Sequence, residues 1–484
     1  MFNSERPPQP LLFLIGDTGG GHRSAATAVA QAMELTLPGR FVPIIFDPVR
    51  GPGVFQPTRW LAGLYGPCIR LMPWVWWLVW RISDTPVTMS AAQRMLLEPI
   101  CRSIEQAVKE HRPALIVSFH PVTGAAAARV RERAGIDAPI VTVITDLITA
   151  HRSWLDGDVD RVVVPSEELA SFCAREGITA DRRVLLGLPV AAEFCQPPLG
   201  EAERRELKRK LGVSGDFLVV LTGGGEGSGG LGRQAAAVLR QVESVDVAVI
   251  CGRNRGLRRR VSRLAARAGH GRLTAHGFVR NMPDWLRCAD IVVGKAGPGT
   301  IAEAICSGAP LVLTSYVPGQ EKGNAEYVTE AGAGLYAPSP RRLAAEVGRL
   351  RRDPVALAEM RAAAVKLSRP GAAADIARLL ADLTPAPATL AHQVPRQASP
   401  LEPSTITAGA AKGGRHKVSR PKVSRPKVSR PNAGSPGARG PQPALPPAGR
   451  RLRVRGIKVR GLRVRRIRVR GLRVPRLRSR ARGR

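Results

Sequence analysis

Short apolar runs of strand length recur along the first 385 residues, separated by alanine- and leucine-rich stretches of helical period. Residues 11–15, 114–119, 140–145 and 161–164 read as strands, each β-branched or apolar throughout. Residues 22–35, 89–109 and 124–134 read as helices between them. This alternation predicts a parallel sheet covered on both faces. A proline-rich stretch from Leu188 to Gly200 interrupts it. A second block follows, with strands predicted at 217–221, 245–251, 273–278, 291–293 and 311–314, and it ends near Leu383. The pattern gives an α/β chain of two Rossmann-like domains facing a cleft, over residues 1–190 and 201–384. Ligands of such domains sit at the carboxyl ends of the strands. From 385 to 484 the periodicity stops. Lys-Val-Ser-Arg-Pro repeats from Lys417, Lys422 and Lys427, and Leu/Ile-Arg-Val-Arg units follow Arg450. That segment has too little apolar bulk to offset its ordering entropy, so a disordered basic tail is expected.

Charge sharpens the division. The net charge is +36, but residues 401–484 hold 26 Lys/Arg and one acid, leaving +11 on the first 400 residues. A body of that balance suits a folded enzyme, and nucleic acid is not its expected partner. For the tail, anionic lipid, nucleic acid and no selected role stay open. Seven scattered cysteines form no CxxC or Cys/His cluster, which points to a reducing compartment without a disulfide frame or zinc site. No apolar run reaches the roughly 20 residues a spanning helix needs, and the N-terminus lacks a signal pattern. The expected location is the cytoplasmic face of a membrane, peripherally.

The candidate chemistry lies in three glycine turns. After the first strand comes Gly16-Asp17-Thr18-Gly19-Gly20-Gly21-His22-Arg23-Ser24. Glycines let the backbone approach a partner, and a helix N-terminus favours an anion. His22 and Arg23 replace the Lys and Ser/Thr of a phosphate-binding Walker loop, which counts against an NTPase. His22 suits a general base near neutrality; equally, it caps a tight turn. The second turn, Gly223-Gly224-Gly225-Glu226-Gly227-Ser228-Gly229-Gly230-Leu231-Gly232, includes a GxGxxG match at Gly227, Gly229 and Gly232. Its amides suit a diphosphate. A dinucleotide oxidoreductase is disfavoured, since the next strand ends at Cys251-Gly252-Arg253 with no carboxylate for a ribose. The third turn runs Gly297-Pro298-Gly299-Thr300 into a helix. There Glu303 either closes a capping box with Thr300 or accepts ribose hydroxyls. Gln320, Glu321 and Asn324 follow the next strand, where they suit sugar hydroxyls. Asp156-Gly157-Asp158 spells a metal-binding DxD, yet its acidic turn reads as solvated, so no metal is expected.

In order along the chain, Gly19–His22, Val143–Leu147 with His151 and Trp154, Gly187–Val190, Gly223–Gly227, Gly277-Phe278, Lys295–Ala304 and Pro318–Asn324 resemble the diacylglycerol glycosyltransferases. The resemblance spans roughly residues 10–380 and is strongest to the monogalactosyldiacylglycerol synthases. Processive glucosyltransferases and the peptidoglycan transferase of the lipid II pathway are more distant. It implies a GT-B fold and inverting transfer from a UDP-sugar, without metal or other cofactor. The acceptor is 1,2-diacylglycerol, and galactose is favoured over glucose. It places Phe278 at uracil, Glu303 at ribose, and Gly297–Thr300 with Gly223–Gly225 at the diphosphate. Gln320, Glu321 and Asn324 then meet the hexose. His22 becomes the base, with Asp146 as a second catalytic residue on the acceptor side, where Gly19, Gly20, Gly21, His151 and Trp154 also lie. A UDP-N-acetylglucosamine transferase acting on a polyprenyl diphosphate lipid is the alternative enzyme, and a tail-driven nucleic-acid binder the alternative outside enzymes.

One stretch fits a lipid acceptor. Pro73 to Trp80 holds Trp74, Trp76, Trp77 and Trp80 between Arg70 and Arg81. Too short to span a bilayer, it suits insertion at the headgroup boundary; a buried aromatic cluster is the other reading.

Overall fold

The computed structural model of the protein describes residues 7–17, 20–50, 78, 81, 86–268 and 272–386, the side chains of 86–96 and 268 excepted. Gly19, Trp74, Trp76, Trp77, Trp80 and the tail beyond 386 lie outside the described residues.

Two parallel sheets of six strands carry the described chain. The first contains β1 (Gln9–Leu14), β2 (Phe41–Phe46), β3 (Leu115–Ser118), β4 (Ile140–Val143), β5 (Arg161–Val164) and β6 (Arg183–Leu185), ordered β2-β1-β3-β4-β5-β6. The second contains β7 (Leu218–Thr222), β8 (Asp246–Ile250), β9 (Leu273–His276), β10 (Ile291–Lys295), β11 (Leu311–Ser315) and β12 (Gly334–Tyr336), ordered β12-β11-β10-β7-β8-β9. Strands β3, β4, β7 and β8 are buried along their whole length, as Val/Ile/Leu-rich strands of a parallel sheet are.

Helices of the first half are α1 (Gly21–Thr36), α2 (Pro86–His111), α3 (Thr123–Ala134) and α4 (Glu167–Arg175). Those that follow are α5 (Glu201–Lys210), α6 (Leu231–Gln241), α7 (Arg255–Ala268), α8 (Met282–Cys288), α9 (Pro298–Cys306), α10 (Lys322–Glu330), α11 (Pro340–Arg352), α12 (Pro354–Leu367) and α13 (Ala372–Leu383). Each sheet separates two cores. On one face of the first sheet α1 packs through Ala25, Val29 and Met33; on the other, α2, α3 and α4 supply Ile104, Ala126 and Leu169. On the second sheet α6, α7 and α11 share one core, while α8, α9 and α10 share the other with Leu147, Leu188 and Val190 of the first half.

The last helix departs from the sequence expectation of a second domain over 201–384. Helix α13 returns to the first sheet, where Ile376, Ala377 and Leu380 are fully buried beside α1, Leu11 and Phe13. The chain thus passes between halves twice. At the two passages Gly187, with φ of +100°, lies so close that a Cβ there would sit 2.8 Å from that of Arg369 and 3.1 Å from that of Ala372.

Charge fixes α5 to the base of the second sheet. Asp290 accepts from Arg204 and Lys208, both at 2.6 Å, and from the Leu218 amide at 2.7 Å. Lys208 is buried, so its charge is tolerated through this pairing and its bond to the Asp216 carbonyl.

Candidate active site

Strand order reverses between β1 and β3 in the first sheet and between β7 and β10 in the second. At such points the flanking loops diverge and open a crevice at the carboxyl ends. All three glycine turns flank these two crevices.

In the first half, Gly20 caps α1 with φ of +88°, a conformation glycine adopts without strain, and Gly21 opens the helix. His22 follows at once. Its Nδ1 lies 2.8 Å from Thr145 Oγ1, just past β4, and its ring meets His120 edge-on at 4.8 Å and Trp154 at 6.0 Å. Burial pushes the His22 imidazole down to about 4, opposed by the Phe119 carbonyl and the Asp17 carboxylate, so the ring is neutral near pH 7. His120 is also lowered well below its usual value, by burial and then by His22. Its ring is seated against Gly16, where a Cβ would lie 2.4 Å from Cδ2. Asp17 receives Arg23 through both carboxylate oxygens, which lowers its pKa.

Asp146 joins the halves. One oxygen accepts Trp154 Nε1 at 2.7 Å, and the other accepts Gln320 Nε2 of the second half at 3.0 Å. Burial raises its pKa, against the lowering effect of those two bonds. The neighbouring Ile148 and Thr149 pack on Gly323 at the start of α10. His151 takes the Ser153 amide on Nδ1 at 3.1 Å, capping the short turn that carries Trp154.

In the second half the turn after β7 folds on itself. A Cβ on Gly223 would lie 2.2 Å from the Ser228 carbonyl, and one on Gly227 would lie 2.1 Å from that of Cys251. Gly224 has φ of +66° and Gly225 accepts the Arg253 amide. These contacts leave room for backbone alone. Across the crevice Gly297 caps α9, with Pro298 at its first position and Gly299 and Thr300 in the same turn.

One expectation for this region needs correction. Thr300 sits inside α9 rather than at its cap, so Thr300 and Glu303 form no capping box. Glu303 is a half-buried carboxyl pushed up to about 7 by burial. Glu321, in turn, is buried with both oxygens engaged, Oε1 by Lys295 Nζ at 2.5 Å and Oε2 by the Val317 amide at 2.9 Å. Asn324 donates to the Ala296 carbonyl at 2.9 Å and thereby ties α10 to the third turn. Phe278 is 59% exposed, with the Arg253 guanidinium 5.0 Å above its ring. Asp158 of the DxD pairs with Arg131 and Arg182.

The structure therefore brings His22, Asp146, Trp154 and Gln320 into one cluster, with Glu321 and Asn324 beside the third turn. It adds Thr145 and Lys295, which lie inside quoted motifs but were given no role, and His120, which motif reading passed over. His120 was recoverable, since the loop after β3 mirrors the one after β1 across the crevice.

Known proteins agree with this architecture. Residues 22–190 match the family described as monogalactosyldiacylglycerol (MGDG) synthase, and residues 218–376 match the glycosyltransferase family 28 C-terminal domain. Monogalactosyldiacylglycerol synthase 3, chloroplastic, of Arabidopsis thaliana is 33% identical over 76% of this chain and 80% of its own length. A probable monogalactosyldiacylglycerol synthase 2, chloroplastic, of Oryza sativa subsp. indica is 31% identical over 78% and 82%. Among solved structures, MurG of Acinetobacter baumannii superposes with a TM-score of 0.51 at 16% identity, covering 78% of this chain and 100% of that one, a likeness of fold.

Proposed function

The chain belongs to the monogalactosyldiacylglycerol synthase family, and from that premise we propose that it moves galactose from UDP-galactose to the free hydroxyl of 1,2-diacylglycerol. It is a glycosyltransferase of GT-B fold. The reading is carried by the Gln320–Asp146–Trp154 chain, which draws the neutral His22 and the second-half turns to one cleft.

In this reading the UDP diphosphate rests on the amides of Gly223–Gly225 and the α9 N-terminus at Gly297–Thr300. Phe278 flanks the uracil and Glu303 takes ribose hydroxyls. Gln320 and Asn324 face the hexose, and Glu321 contributes its remaining lone pairs. The acceptor enters beside Gly19–Gly21, with its alkyl chains toward the membrane through Trp74, Trp76, Trp77 and Trp80. His22 removes the hydroxyl proton as the oxygen bonds to the anomeric carbon. The bond from that carbon to the diphosphate oxygen breaks, its electron pair leaves on UDP, and the configuration inverts. Thr145 fixes the ring by its bond to Nδ1, and His151 steadies the turn bearing Trp154. Loop amides and the helix end offset the charge growing on UDP, so no metal is required.

Purified enzyme given labelled UDP-galactose or UDP-glucose with diacylglycerol micelles and EDTA should form a monoglycosyl lipid, galactose being preferred. No product from either donor, with or without Mg²⁺, rules the assignment out.

A further inference from the structure

Charge covers the two faces of the second sheet unequally. The outer helices α6, α7 and α11 carry thirteen arginines and one acid, Glu346. On the opposite face α5, α8, α9 and α10 carry seven basic and seven acidic residues. The imbalance therefore belongs to one layer, not to the composition of the half. Twelve of the thirteen arginines are exposed. Among the described residues only Arg349 of this set makes an ion pair, with Glu346 at 3.0 Å, while Arg351 lies over the Phe217 ring.

Packing fixes which way this charge faces. Leu257 and Val261 seat α7 on the sheet, which turns Arg255, Arg258, Arg259, Arg260, Arg263 and Arg267 outward. Helix α6 packs against both α7 and α11, so the three make one continuous sheet-covering layer. So many like charges repel one another and cost stability unless an opposite charge meets them. The layer also reaches the cleft. Arg253, two residues before α7, stacks on Phe278, and exposed Val355 follows Arg352 at the far edge.

We propose that this arginine layer docks the enzyme on a bilayer of anionic lipid. The proposal rests on the reading above that the acceptor is a membrane lipid. Parallel helices offer a broad surface to fixed negative charge, and guanidinium groups suit phosphate oxygens. Polynucleotide is the lesser fit, since aromatic stacking platforms do not punctuate the three helices.

The test uses the full chain and vesicles of phosphatidylcholine with or without phosphatidylglycerol. One variant reverses three layer charges, Arg259→Glu, Arg260→Glu and Arg263→Glu. A second makes the same charge change in the tail, Arg463→Glu, Arg465→Glu and Arg466→Glu. The layer variant should bind anionic vesicles about ten-fold or more weakly, with a clearly smaller loss for the tail variant. Transfer in neutral micelles should be unchanged in both. Equal losses, or loss only in the tail variant, overturn the proposal; so does a layer variant that loses polynucleotide binding but keeps vesicle binding. Absence of transfer in micelles, with vesicle binding still dependent on the layer, overturns the glycosyltransfer reading instead.

Discussion

His22 shows how one side chain is prepared by its surroundings. Its pKa is pushed down to about 4 because burial penalises the imidazolium more than the Phe119 carbonyl and Asp17 favour it. A base must be unprotonated to act, so its acid limb should fall near pH 4 rather than at the usual 6.5. His22→Ala should lower kcat by about 10²- to 10⁴-fold, measured with labelled donor. A pH profile unchanged by the substitution would assign the limb to another group. The same residue predicts a stability trend. Its folded-state pKa lies below the unfolded one, so acidification protonates the unfolded chain first, and stability is lost as pH falls from 6.5 towards 4. His120 shifts in the same direction and adds to the loss. Melting temperatures from pH 7 to 4 should decline, less steeply in His22→Gln.

Among the elements, the glycine turns were the most legible, because close backbone approach leaves few other residues possible. Gly227 illustrates it. With φ of +58° and the Cys251 carbonyl 2.1 Å from where a Cβ would stand, Gly227→Ala must push the turn away from β8. UDP affinity should drop by about 5- to 150-fold, the equivalent of the 1–3 kcal/mol such strain costs, by titration calorimetry. Central strands were equally plain, as β3, β4, β7 and β8 are mostly apolar and β-branched and are buried throughout. Three strands escaped the pattern, β2, β6 and β12, and all three are sheet edges. Strand β2 contains Pro43, while β6 and β12 are three residues long, lengths at which periodicity cannot speak. The site divided along a similar line. Residues within glycine motifs could be read in order, whereas Thr145, His120 and Lys295 matter through neighbours distant in sequence. The capping box at Thr300 failed for a related reason: spacing fits a cap, but Pro298 already starts the helix.

At the scale of the whole molecule, the crossing of α13 was invisible in the sequence, where its amphipathic pattern specifies a buried stripe but not the partner. Leu380 is fully buried against the first sheet although it lies last in the chain order of helices. Leu380→Ala should therefore destabilise by about 2–5 kcal/mol. Amide exchange should quicken in β1 and β3 before β7 and β8, the reverse of what a second-half helix would give. Because the two passages touch at Gly187, any opening of the halves is predicted to pivot there. With both passages pressed together there, such an opening would run like a book about its spine, while sliding or twisting would tear that contact. Gln320 and Asp146 form the clasp on the opening edge. Gly187→Val should splay the spine, and single-molecule energy transfer between dyes on α2 and α7 would then show several distances where the parent protein shows an open and a shut one.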